Sequence, residues 1–103
     1  MQIRFLKIAR EELKDGVRYY ELEFTDLGNK FKRDGKKGIH RISELPKASS
    51  IEHAEIRKYL LHRFPCKLLY SIENDCILII AVAHQHRKPE YRIKRIKKRG
   101  NDF

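Results

Sequence analysis

Residues 66–84 read CKLLYSIENDCILIIAVAH, and this stretch decides the fold. Two apolar runs flank Asn74 and Asp75, a pair suited to a tight turn, and this predicts strands over 67–73 and 76–84. With a two-residue turn, cross-strand partners sum to 149, so Tyr70 faces Ile79 and Cys66 faces Ala83. Cys66 and Cys76 then sit at opposite ends of the hairpin, ~20 Å apart at ~3.3 Å per residue, too far for a disulfide. The run CILIIAVA has no polar alternation, which predicts a central strand covered on both faces or flanked on both edges.

Upstream, residues 56–64 read as another strand, separated from the hairpin by Pro65. Residues 2–6 form a short apolar-rich opening, read as the N-terminal strand. Ala9, Leu13, Val17, Tyr20 and Phe24 recur at helical spacing and predict a helix over 8–24. Leu27, Phe31, Gly35, Gly38, Ile42 and Leu45 make the stripe of a second helix, with Asp26 as its cap and Pro46 just past its end. Its outer face carries Lys30, Lys32, Arg33, Lys36, Lys37 and Arg41. Gly35 and Gly38 are read as points of close approach to the first helix, since GKKG follows no strand and does not match a phosphate-binding loop. So short a link between helices predicts an antiparallel hairpin. The predicted spatial order is strand 56–64, strand 67–73, strand 76–84, then the N-terminal strand. The fold class is α+β, in the order β-α-α-β-β-β.

Composition narrows the company this domain keeps. The chain has 103 residues, 41% hydrophobic and 37% charged, enough for one modest core. A net charge of +10, from 24 Lys and Arg against 14 Asp and Glu, favours nucleic acid, an anionic surface or an acidic protein segment as partner. The N-terminus lacks a signal-peptide apolar core, and no apolar run approaches the ~20 residues of a membrane span, so the expected location is cytoplasmic, with reduced thiols and no membrane partner. Residues 87–99 read RKPEYRIKRIKKR, a basic run with Tyr91, Ile93 and Ile96 interleaved. It is read either as a solvated tail or as an arm for phosphate or an acidic partner.

The ordered pieces ELKDGVRYYE (12–21), LGNKFKRDGKKGIHRISELP (27–46) and IRKYLLHRFPCKLLYSIENDCILIIAVAHQHRKPEY (56–91) resemble the RelE/ParE superfamily of type II toxin–antitoxin toxins. The resemblance covers about residues 3–92 and departs from the pattern at Cys66, where an aromatic is usual, and at Arg92, where tryptophan is. It implies a helical hairpin on a twisted antiparallel sheet, with a toxin domain over 1–92 and a basic tail over 93–103. It also implies a cognate antitoxin whose acidic or amphipathic segment covers basic surface and exposed apolar residues of the helices.

Two mechanisms follow from the resemblance. RelE-like members cleave messenger RNA in the ribosome, whereas ParE-like members, the plasmid-stabilisation branch, poison DNA gyrase without catalytic residues. RNA cleavage needs a base, an acid and cations for the phosphorane. His84, His86, Arg87 and Tyr91 are the candidates for that chemistry, and Arg57, Lys58, Arg63, Lys67, Arg92, Lys94 and Arg95 are the candidates for binding nucleic acid or the target. The basic positions of the RelE branch fall on Lys58, Leu60, Lys67 and Gln85, so half of that set is apolar or neutral. No carboxylate in the predicted strands offers an acid–base partner. The FP link and the AVAHQHRKP ending favour the ParE-like reading; a non-toxic basic nucleic-acid-binding domain is the third alternative. His84 and His86 lack a third metal ligand nearby, so no metal and no cofactor are expected.

Overall fold

The computed structural model describes residues 1–85 of the chain. The hairpin of 66–84 is its centre: β4 (Cys66–Ile72) and β5 (Cys76–His84) pair antiparallel, with Glu73 N–H donating to the Cys76 carbonyl across the turn. Tyr70 pairs with Ile79, as the turn predicts, but Cys66 pairs with His84 rather than Ala83. The register slips between Leu69 and Tyr70, because Ile80 is an extra residue on β5 and a bulge sets two residues against one. Ile77, Ile79 and Val82 therefore face the helices, while Leu78, Ile80 and Ala81 join the cluster on the opposite face. Next to the bulge, the Val82 N–H donates to Glu12 Oε1 at 3.2 Å.

The strand order is β1-β5-β4-β3-β2, with β1 (Gln2–Phe5) parallel to β5 and the other neighbours antiparallel. The wholly apolar β5 is thus flanked on both edges, as its composition requires. β3 spans Ile56–Leu60, shorter than the predicted 56–64. Leu61 N–H already donates to the Cys66 carbonyl, so 61–65 is a tight connection that drops Phe64 into the core. One strand is absent from the sequence expectation: β2 (Ser50–His53), an edge strand turned onto β3 through Ala54 at φ 50°. Its SIEH is mostly polar and too short to show a period.

Helix α1 (Lys7–Glu23) and helix α2 (Leu27–Glu44) cross one face of the sheet. Ala9, Leu13, Val17 and Tyr20 pack inward as their spacing predicts, but Phe24 lies beyond the helix end and is 72% exposed. Leu45 likewise caps α2 and is exposed instead of closing its stripe. Phe31, Phe64 and Tyr20 form an aromatic nest, with ring centroids 4.7–5.2 Å apart. Each fully buried side chain of this size contributes about 1.5–3 kcal/mol.

Two local expectations are corrected. Asp26 sits at the N-cap with φ 71° and makes no side-chain cap. The Glu21 carboxylate of α1 accepts from the Asp26 and Gly28 amides instead, so the first helix caps the second. Gly35 faces Leu13 of α1 as expected, but Gly38 meets Tyr59 and Leu68 of the sheet, and a tighter approach to α1 lies at Gly28, where a Cβ would come 2.5 Å from the Val17 carbonyl oxygen.

Candidate functional site

Strand alternation divides the predicted cations between the two faces of the sheet. Lys58 and Lys67 share the face away from the helices, and β2 brings Glu52 to them. Lys67 Nζ donates to Glu52 Oε1 at 2.6 Å, and Lys58 Nζ lies 3.5 Å from Oε2. The Lys67 side chain is 4% exposed and that of Glu52 9%. Burial alone would push the Glu52 carboxyl up; the hydrogen bond and charge of Lys67, joined by Lys58, outweigh it and hold the group below its ordinary 4.5. Glu52 is therefore anionic at neutral pH and offsets one of the two lysine charges on this face. It is also a strand carboxylate that the sequence expectation did not contain.

Arg57 lies on the helix side. One guanidinium nitrogen donates to the Lys47 and Ser49 carbonyls at 3.1 and 2.7 Å, and the neighbouring Tyr70 hydroxyl donates to the Pro46 carbonyl at 2.6 Å. Together they clamp the link between α2 and β2. Arg57→Ala is expected to cost about 1–2 kcal/mol, or roughly 4–16 °C in Tm by thermal denaturation. An unchanged Tm would free Arg57 for a binding role.

Arg63 belongs to a third group. Its backbone N–H donates at 2.9 Å to Asp34 Oδ2, a buried carboxylate of α2, which pins the β3–β4 connection against that helix. The cleft between them, about 710 Å³, is lined by Asp34, Lys36, Lys37, His40, Arg41, Glu44, Tyr59, His62 and Arg63. His62 Nε2 lies 3.1 Å from the Tyr59 hydroxyl, and His40 Nε2 lies 3.4 Å from Glu44. A depression of about 300 Å³ adjoins at Lys37 and Arg63 and adds Lys30 and Arg33. Another, of about 280 Å³, adjoins at Arg41, Tyr59 and His62.

His84 ends β5 beside Cys66, exposed at the open end of the hairpin, and the Gln85 N–H donates to the Pro65 carbonyl. Alternation from Val82 puts His84 on the helix side, opposite in face to Lys58 and Lys67. His86, Arg87, Tyr91, Arg92, Lys94 and Arg95 lie outside the described residues, as does the 93–103 segment. Both cysteines are free. Burial pushes the Cys66 and Cys76 thiols up and the Tyr20 phenol, 3.9 Å from Cys66 Sγ, to about 12, so neither cysteine is a ready thiolate. Among the described residues no group of His, Cys, Asp and Glu is placed to hold a metal ion, and no helix is long and apolar enough to cross a membrane.

Sequence reasoning missed Glu52, Asp34, Tyr59 and His62. Asp34 was detectable: three residues after Phe31, it falls on the apolar stripe of α2, where a carboxylate needs a partner. Glu52 left no such signal.

No protein-family model and no curated protein sequence matches the chain. Solved structures do. A chain of the chromosomal ParDE TA system from P. aeruginosa superposes with a TM-score of 0.62 at 14% identity, covering 82% of this chain and 95% of that one. E. coli toxin RelE, a double mutant in the free state, gives 0.65 at 18% identity over 92% and 96% of the two chains. Isolated E. coli RelE toxin gives 0.62 at 20% identity over 92% and 97%. At these identities the likeness is one of fold, and the fold of this chain is that of the RelE/ParE toxins.

Proposed function

We propose that the chain is the growth-inhibiting half of a toxin–antitoxin pair, acting in the ParE-like manner by binding DNA gyrase in the cytoplasm. The Glu52–Lys58–Lys67 cluster carries this reading. Phosphorane stabilisation requires cations free to meet the scissile phosphate. Of the described positions that correspond to the RelE branch, Leu60 is apolar and Gln85 neutral, while Lys67 is buried against Glu52 and Lys58 leans on the same carboxylate. A poison that works by binding alone needs none of them.

Silencing falls to an antitoxin segment that covers the exposed Tyr19, Leu22 and Phe24 at the end of α1. The basic stretch with Arg92, Lys94 and Arg95 is assigned to contact with the target or the antitoxin. RelE-like cleavage is the second reading, favoured by His84 exposed at the strand end.

Induction of the full chain separates the two. The expected result is loss of DNA synthesis and filamentation with intact messages, together with trapped cleavage complexes when purified gyrase, DNA and the chain are mixed. Rapid arrest of translation with cleaved messages and no effect on gyrase overturns the gyrase reading in favour of the ribonuclease. Normal growth on induction removes the toxin reading altogether.

A further inference from the structure

The three adjoining depressions along α2 form one track, and its chemistry is not that of a generic basic surface. Lys30, Arg33, Lys37 and Arg41 follow the helix, and Arg63 faces them from the β3–β4 connection, so cations line both walls. The acids within it are engaged: Asp34 accepts the Arg63 amide, and Glu44 lies against His40. At the junction of the larger cleft and the third depression sits Tyr59, its hydroxyl beside His62 and the two rings 6.1 Å apart.

From this arrangement we infer that the α2 track is a binding site for single-stranded nucleic acid, distinct from the Lys58–Lys67 face and independent of which target the toxin reading requires. Facing cations at fixed spacing follow a phosphodiester backbone, and an aromatic ring among them takes an unpaired base. A duplex keeps its bases stacked inside, beyond reach of Tyr59. One edge of the Tyr59 ring packs against Gly38, while the residue still lines two of the depressions, where an unpaired base can meet it and an acidic peptide would use the cations alone.

The probe is a fluorescent twelve-nucleotide oligothymidylate, titrated by anisotropy against the full chain over a range of salt. Lys37→Gln/Arg41→Gln/Arg63→Gln removes three exposed cations from the track. Each phosphate contact on a single strand contributes about 0.7 to the salt slope, so the slope becomes shallower by about 2 and affinity at 0.1 M salt falls roughly a hundredfold. The control Lys7→Gln/Lys14→Gln/Arg18→Gln removes the same charge from exposed positions of α1 and weakens binding no more than about threefold, through the general field. Thermal melts establish that both variants are folded. Ultraviolet crosslinking of a bromouridine-substituted strand places the adduct on the peptide containing Tyr59 and His62. Equal losses in the two triple variants, or an adduct confined to α1, overturn the site. Displacement of the strand by an oligoglutamate peptide at equal concentration overturns the nucleic-acid assignment in favour of an acidic protein partner.

Discussion

Glu52→Gln is expected to destabilise the protein by about 3 kcal/mol at pH 7, at the lower end of what breaking a buried ion pair costs. The substitution keeps the shape and one hydrogen-bond acceptor but removes the charge that compensates Lys67, whose side chain is 4% exposed. In a domain of this size that corresponds to roughly 12–24 °C in Tm. Glu52→Gln/Lys67→Met recovers most of the loss, because an apolar side chain of similar length removes the stranded ammonium instead of leaving it unpaired. The pH dependence has a definite sign. The folded carboxyl lies below its ordinary 4.5, so its stabilisation is fully present above that value and fades as acid carries the pH down through the folded pKa. Urea unfolding of wild type and Glu52→Gln across a pH series therefore shows a constant gap down to about 4.5 and a closing one below it. A gap under about 1 kcal/mol at neutral pH would mean that Lys67 is not held as a buried cation.

The second large effect lies in the aromatic nest. Phe31 is 1% exposed, and Phe31→Ala is expected to cost about 3–5 kcal/mol through lost transfer energy and the cavity left behind. Its ring edge lies against Gly16, where a Cβ would come 2.6 Å from Cε2. Gly16→Ala alone therefore costs about 1–3 kcal/mol by overpacking, less roughly 1 kcal/mol recovered from helix propensity. Phe31→Leu/Gly16→Ala exchanges the volumes, and the double variant should be more stable than the sum of its singles by about 1 kcal/mol or more. A urea-denaturation cycle measures this; additivity within about 0.5 kcal/mol would contradict the contact.

The fold was legible where one face of an element differs from the other. The stripe from Ala9 to Tyr20, the turn at Asn74 and the unbroken apolar run of β5 fixed the helices, the hairpin and the central strand. The bulge at Ile80 was not, since a run apolar on both sides looks the same in either register. β2 was illegible because four polar-leaning residues carry no period, and Glu52 went unseen with it. The cations of α2 were visible as a row, but nothing local says that Arg63 faces them. That depends on the Asp34 carboxylate reaching an amide far along the chain. Site chemistry that arises from such tertiary closure is not written in any one segment.

The pairing of β1 with β5 sets when this molecule can come into being. The opening strand lies beside the closing one, with Gln2 next to Cys76, and every other described element is made in between. A chain emerging from the ribosome holds its first strand with no neighbour to accept it until nearly the whole domain has appeared. Closure of the sheet therefore waits on β5, and the finished surface exists only after every other described element has been synthesised.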